Sequence, residues 1–135
     1  MRYLAIDYGD KRTGLAVCDR DETIASPLAV IEGQKNLLKK IQDIVTAENI
    51  DAVVLGLPLN MDGSPGQRVK LVRRFAENLK THLNIPIYFH DERLSTFAAQ
   101  TALAPAELTR EKKKKRLDAV AAADFLQAFL DTKKT

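Results

Sequence analysis

The chain holds a single cysteine, Cys18, and two histidines, His82 and His90, in 135 residues. A lone cysteine excludes a disulfide framework and a cysteine zinc cluster. Its place in an apolar run makes Cys18 a small core residue. Two histidines argue against a histidine-rich zinc hydrolase, and His82 is expected on a helix surface. No apolar run approaches the ~18 residues a membrane helix needs. The start, Met1-Arg2 running into "YLAID", carries no signal-peptide pattern. A soluble cytoplasmic protein is therefore expected. Neither sign of charge dominates: 21 basic residues face 18 acidic ones, for a net +3. That balance permits a nucleic-acid partner without demanding one.

What is present is globular. Hydrophobic residues make up 45% of the chain, which excludes disorder. The length suits one domain, residues 1–135, with a real core; no repeat or internal boundary interrupts it. "RYLAIDYG" reads as a strand that is apolar on both faces and ends at Asp7. The short glycine-containing turn "YGDKRTG" joins it to a second strand, "TGLAVCD", as an antiparallel hairpin. "TIASPLAVI" makes a third strand, with Pro27 favouring an edge or a bulge. In "NLLKKIQDIVTAEN" the apolar residues turn to helical spacing. "DAVVLGLP" is a buried-strand run, followed by the loop "LNMDG". In "SPGQ", Ser64, Pro65 and Gln67 form a capping-box signature for a helix whose apolar face carries Val69, Val72, Phe75, Ala76, Leu79 and Leu83. "IPIYFHDE" is the fifth strand and "STFAAQTALA" a short helix. "PAELTREKKKK" reads as a polar loop before a last helix, "RLDAVAAADFLQAFLDTK". The order βββαβαβα with right-handed crossovers predicts an α/β fold: a five-stranded mixed sheet, helices on both faces, strand 1 in the middle.

Three acids stand out. Asp7 ends the central strand, where it either caps the turn or points into a site. Asp91 and Glu92 end strand 5 in "HDER", where either could simply pair with Arg93. Asp118 lies on the last helix. At about 100° per residue, Phe125 and Phe129 fall within roughly 20° of it and Ala122 within roughly 40°. Asp124 falls about 120° away, with Gln127 and Asp131 on the polar side. An acid in an apolar stripe needs a partner: a salt bridge to Arg116 or a lysine, or a metal shared with Asp7. Clustered carboxylates repel unless a cation sits between them. Mg²⁺ takes oxygen ligands and is completed by substrate phosphates. Two such ions stabilise both the attacking and the leaving oxygen of a phosphodiester displacement.

"AIDYGDKRTGLAV", "VVLGLPLNMDG", "HDERLST" and "LDAVAAADFLQ", in that order, closely resemble the YqgF/RuvX family, described as Holliday-junction resolvases and as pre-16S ribosomal RNA nucleases. The likeness runs in register from Tyr3 to Leu130. It implies an RNase H-like fold, in agreement with the topology. It also implies Asp7, an acid of "HDERLST" and Asp118 as catalytic, metal-binding residues, with Mg²⁺ or Mn²⁺ as cofactor. Glu92 takes the second place because similar sites use Asp, Glu and Asp; Asp91 is its rival.

The substrate-binding candidates are basic. Arg93 could neutralise an acid or hold a phosphate through its fork, while Ser95 and Thr96 cap the next helix. Lys11 and Arg12 sit between Gly9 and Gly14, where the glycines supply backbone freedom to a tight hairpin and the two cations could touch phosphate. "LNMDGSPGQ" is either a connector or a phosphate-binding helix start. "REKKKKR" places Lys112, Lys113, Lys114 and Lys115 just before Asp118. No aromatics interleave with that run, so backbone contact without base stacking is expected. The expected function is metal-dependent cleavage of structured nucleic acid: trimming of the 5′ end of pre-16S rRNA in ribosome biogenesis. The alternatives are a Holliday junction resolvase on branched DNA and a non-catalytic nucleic-acid-binding module. A two-fold junction would favour a dimer; with no obvious dimer helix, both monomer and homodimer stay open. An actin-like ATPase, suggested by "DYGDKRTG", needs two domains closing over its nucleotide, and one is present.

Overall fold

Apolar strands alternate with amphipathic helices along the chain, and the computed structural model shows where each settles; it describes residues 1–59, 62–92 and 110–133, of which 110–117 as backbone only. The strands are β1 (Tyr3–Asp7), β2 (Arg12–Cys18), β3 (Ala25–Glu32), β4 (Ala52–Leu57) and β5 (Ile87–Asp91). The helices are α1 (Leu37–Ala47), α2 (Gln67–His82) and α3 (Arg110–Lys133). The sheet order is β3-β2-β1-β4-β5. β1 pairs antiparallel with β2 and parallel with β4, so Asp7 does end the central strand. Pro27 sits on edge strand β3, where the pairing with β2 shifts register between Leu15 and Ala16. Both expectations for Pro27 are met.

Alternation along the strands separates two cores. Leu4, Ile6, Leu15, Val17, Val53 and Leu55 face α1 and α2, meeting Leu37, Ile41, Val72, Phe75 and Leu79. Tyr3, Ala5, Ala16, Cys18, Ala52 and Val54 face α3, meeting Ala122, Phe125, Leu126 and Leu130. All six apolar residues expected on the inner face of α2, Leu83 among them, are buried. Cys18 is buried and His82 exposed, as expected. No described helix is long and apolar enough to cross a membrane.

Three expectations need correction. The capping box does not form. Ser64 donates through its backbone N–H and its hydroxyl to Asp62 Oδ1, at 2.9 and 2.6 Å. This local Asx turn holds Ser64 away from the helix start, and α2 begins at Gln67 after the N-cap Gly66. The basic run is not a loop: α3 is helical from Arg110. Lysine, arginine and glutamate are good helix formers, and the run continues a helix anchored on the sheet. Asp124 is not on a polar surface either; it is 8% exposed. From Ala119 to Leu126 only Val120 escapes full burial, because alanines let the sheet approach more than one face of α3. Arg93, the segment "STFAAQTALA", and Asn60 and Met61 of the "LNMDG" loop lie outside the described residues.

Candidate active site

Strand parity assembles the site. Asp7 follows Ala5 by two, so it shares the α3 face. Its partner across β2 is Gly14, and Gly14 shares that face with Ala16. On β4 the same face carries Ala52, Val54 and then Gly56, which pairs with His90 of β5. Glu92 lies two past His90 and continues the row. At the carboxyl edge of the parallel strands, Asp7 thus stands between two glycines, with Glu92 beyond one and α3 above the other.

Both glycines are there for space. A β-carbon on Gly14 would lie 2.1 Å from the Asp118 carbonyl oxygen. One on Gly56 would lie 2.9 Å from Glu92 Cγ and 3.0 Å from Phe125 Cε2. Neither residue has a positive φ, so the reason expected for Gly14, backbone freedom, is replaced by close approach. Gly9 follows the same rule: its β-carbon would meet the Arg12 carbonyl oxygen at 2.4 Å. The signal for Gly56 was present in the sequence, since an isolated glycine inside a strand often marks close contact.

The acids crowd one another. Asp7 is pushed up to about 8, first by burial, then by the charges of Glu92 and Asp118, against the partial relief of Arg68. Burial raises Glu92 as well, and Arg68 again offsets it. The Asp7 and Glu92 side chains meet at hydrogen-bonding range, where a cation between them would relieve the crowding. It is Glu92, rather than its rival Asp91, that meets Asp7. Asp118 is half-exposed and is held by Arg12, whose Nε lies 2.8 Å from Asp118 Oδ2. That salt-bridge partner is a residue 106 positions away; the side chains of Arg116 and the lysines expected there lie outside the described residues.

The donor set of Asp7, Glu92 and Asp118 is all oxygen, which fits Mg²⁺ or Mn²⁺ better than zinc. Among the described residues no three ligating side chains already form one cluster. Asp7 and Glu92 converge, and Asp118 is turned to Arg12. Beside them opens a cleft of about 350 Å³ lined by Tyr8, Gly9, Asp10, Lys11, Arg68, Leu71 and Val72. Arg68 was not anticipated; nothing local in α2 distinguishes it from Arg73 or Arg74. Lys11 is exposed on the cleft wall, while Arg12 is engaged with Asp118. His90 is 7% exposed and lies against the rings of Phe125 and Phe129. Burial lowers its pKa, against the opposing charge of Asp91. Lys112 to Lys115 occupy α3 three to six residues before Asp118, about 5–9 Å along the axis.

The sequence profile of the RuvX family, described as Holliday junction resolvase, matches residues 1–132. Relatives carrying the name "Putative pre-16S rRNA nuclease" include one from Ruegeria pomeroyi, 46% identical over 93% of this chain and 83% of that protein. Another, from Caldanaerobacter subterraneus, is 40% identical over 99% of both. Among solved structures, Thermus thermophilus RuvC in complex with a Holliday junction aligns with a TM-score of 0.62 at 14% identity, covering 99% of this chain and 96% of RuvC. The Fowlpox virus resolvase with junction DNA aligns with a TM-score of 0.62 at 15% identity, over the whole of both chains. The fold is thus the RNase H-like fold of the resolvases, and the chain belongs to the RuvX family.

Proposed function

We propose that the chain is a metal-dependent endonuclease acting on structured nucleic acid, with Asp7, Glu92 and Asp118 as its catalytic carboxylates. The observation that carries this reading is the meeting of Asp7 and Glu92 at the carboxyl edge of the sheet, with the Asp118 backbone brought down onto Gly14 beside them. Two half-buried acids that meet, one ending the central strand and one just past β5, are costly unless a cation sits between them. Asp7 and Glu92 would hold the ion, with Asp118 released from Arg12 to join them. A divalent cation bound there supplies charge neutralisation at the scissile phosphate. Arg68 and Lys11 then hold the neighbouring phosphates from the cleft wall. Freed from Asp118, Arg12 becomes a further phosphate contact. Arg93 and Lys112 to Lys115 extend the positive surface along the substrate backbone.

The substrate we favour is the 5′ end of pre-16S rRNA, processed in the cytoplasm during ribosome biogenesis. The names of the curated relatives support it. The family description favours a second reading, cleavage of a four-way DNA junction. The deciding experiment offers the purified protein precursor rRNA, a four-way DNA junction and single strands side by side, with Mg²⁺ and with Mn²⁺. Trimming of the precursor at one position, absent in Asp7→Asn, is the expected result. Symmetric nicking of the junction with the RNA intact would transfer the assignment to the resolvase reading. No metal-dependent cleavage of any substrate would leave a binding module.

A further inference from the structure

The cleft beside the carboxylates does not end at Arg68. Tyr8 and Leu71 line both that cleft and a larger groove of about 570 Å³ between α1 and α2. The groove carries Lys39 and Arg74 with the polar side chains of Gln42, Asn78 and His82, and no carboxylate lines it among the described residues. Its floor is fixed. The Tyr8 ring stacks on Phe75 at 4.2 Å, and its hydroxyl donates to Gln34 Oε1 at 3.0 Å. At the far end Gln42 Nε2 donates to the His82 carbonyl at 3.2 Å. Leu71, at the junction of cleft and groove, is 43% exposed. From Arg68 to His82 the path follows one stripe of α2 for about 21 Å.

We propose that this groove binds the single-stranded segment flanking the scissile phosphate, with its backbone on Lys39 and Arg74 and its bases against Leu71 and the amides of Gln42 and Asn78. The inference rests on the nuclease reading and adds a substrate feature to it: an unpaired extension beside the cut. Charge selects the class, since two cations and no acid favour a polyanion. Size selects the single strand: a space of about 570 Å³ is that of a small-ligand pocket, which admits one strand and not a duplex. Continuity selects the segment, because Tyr8 and Leu71 belong to both spaces. The strand then crosses the carboxyl edge of the sheet, with the lysine-rich turns of α3 on one side and the α1–α2 groove on the other.

The test is binding, measured by fluorescence anisotropy in the Asp7→Asn background so that no probe is cut. The probes are a blunt duplex and the same duplex with a ten-nucleotide single-stranded extension, long enough at ~3.4 Å per nucleotide to span the path, each made as RNA and as DNA. Lys39→Glu with Arg74→Glu should weaken the extended probe by about tenfold or more and flatten its log–log salt slope by about 1.4, because two phosphates are no longer neutralised. The blunt duplex should bind as before. Lys39→Gln with Arg74→Gln should show a smaller loss of the same pattern, and melts should be unchanged because both residues are exposed. Equal affinity of parent and variant for the extended probe, or equal loss on both probes, overturns the groove assignment while leaving the nuclease reading intact. Failure of the parent to bind any probe overturns the reading beneath it as well. A preference between the RNA and DNA probes identifies which polymer the groove serves.

Discussion

The two faces of the sheet differ in how many small side chains they carry. Toward α1 and α2 the strands present Leu4, Ile6, Leu15, Val53 and Leu55. Toward α3 they present Ala5, Ala16, Cys18 and Ala52 beside the larger Tyr3 and Val54, and at the carboxyl edge Gly14 and Gly56. Large aliphatic residues provide cohesion by burying apolar area, at roughly 25 cal/mol per Å². Small ones bury little but let a helix backbone come down onto the sheet. The second face gives up cohesion to bring Asp118, carried on a helix, within range of acids carried on strands. One face holds the molecule together; the other sets the distances of the site.

The largest expected effect tests the small-residue face at its centre. Asp7→Asn should lower cleavage by about a thousandfold or more, since transition-state charge goes unneutralised, with the fold retained. It should also change the pH dependence of the metal-free protein. The folded pKa of Asp7 lies near 8, above its usual 3.8. Its contribution is therefore fully favourable below about pH 4 and is lost as pH rises toward 8. Metal-free wild type should lose stability between pH 5 and 8 relative to Asp7→Asn, and Mg²⁺ should restore it by binding only the folded state. Melts at pH 5 and 8, with and without the ion, check the sign; a flat difference between the two proteins would sink it.

One substitution on each face sharpens the contrast. Leu79→Ala, in the aliphatic core, should cost about 2–5 kcal/mol of stability while leaving the rate per folded molecule unchanged. Gly14→Ala should do the reverse in emphasis. Its new methyl meets backbone, not a flexible side chain, so α3 must shift. Overpacking costs about 1–3 kcal/mol, and an ångström-scale displacement of Asp118 should cost about a hundredfold in rate. Denaturant titrations paired with cleavage assays separate the two. Normal activity in folded Gly14→Ala would show that the approach of α3 does not matter for catalysis.

Within α3, Asp118→Asn should abolish cleavage and cost no more than about 1 kcal/mol, because its bridge to Arg12 is partly solvated. Asp124→Asn should cost about 1–3 kcal/mol through a buried polar group and spare catalysis. The smallest effect concerns the basic turns. Replacing Lys112 to Lys115 with glutamine, which keeps helix propensity, should shallow the salt dependence of binding by about 0.7–0.9 for each phosphate no longer held. An unchanged slope would mean that these lysines are merely solvated.

Much of this was readable along the chain. Uninterrupted apolar runs identified β1 and β4 as strands buried on both faces, and the change of period identified α1 and α2. The hairpin and two crossovers then forced β1 to the centre, with Asp7 at its end. These are local patterns plus a handedness rule, and both survive translation from text to structure. The family resemblance already put Glu92 ahead of Asp91. Why Glu92 meets Asp7 required more: strand parity carried across β1, β4 and β5, known only once Gly56 is seen opposite His90. The pairing of Arg12 with Asp118 spans 106 residues, and no spacing rule reaches that far. Arg68 resembles its neighbours on α2 until Asp7 and Glu92 are in place beside it. Asp124 fails the helical wheel because the wheel assumes one buried face, whereas an alanine-rich helix pressed onto a sheet is covered on several. Periodicity reports which side of an element is apolar; how closely two elements approach, and which charges meet when they do, is settled by packing between distant parts of the chain.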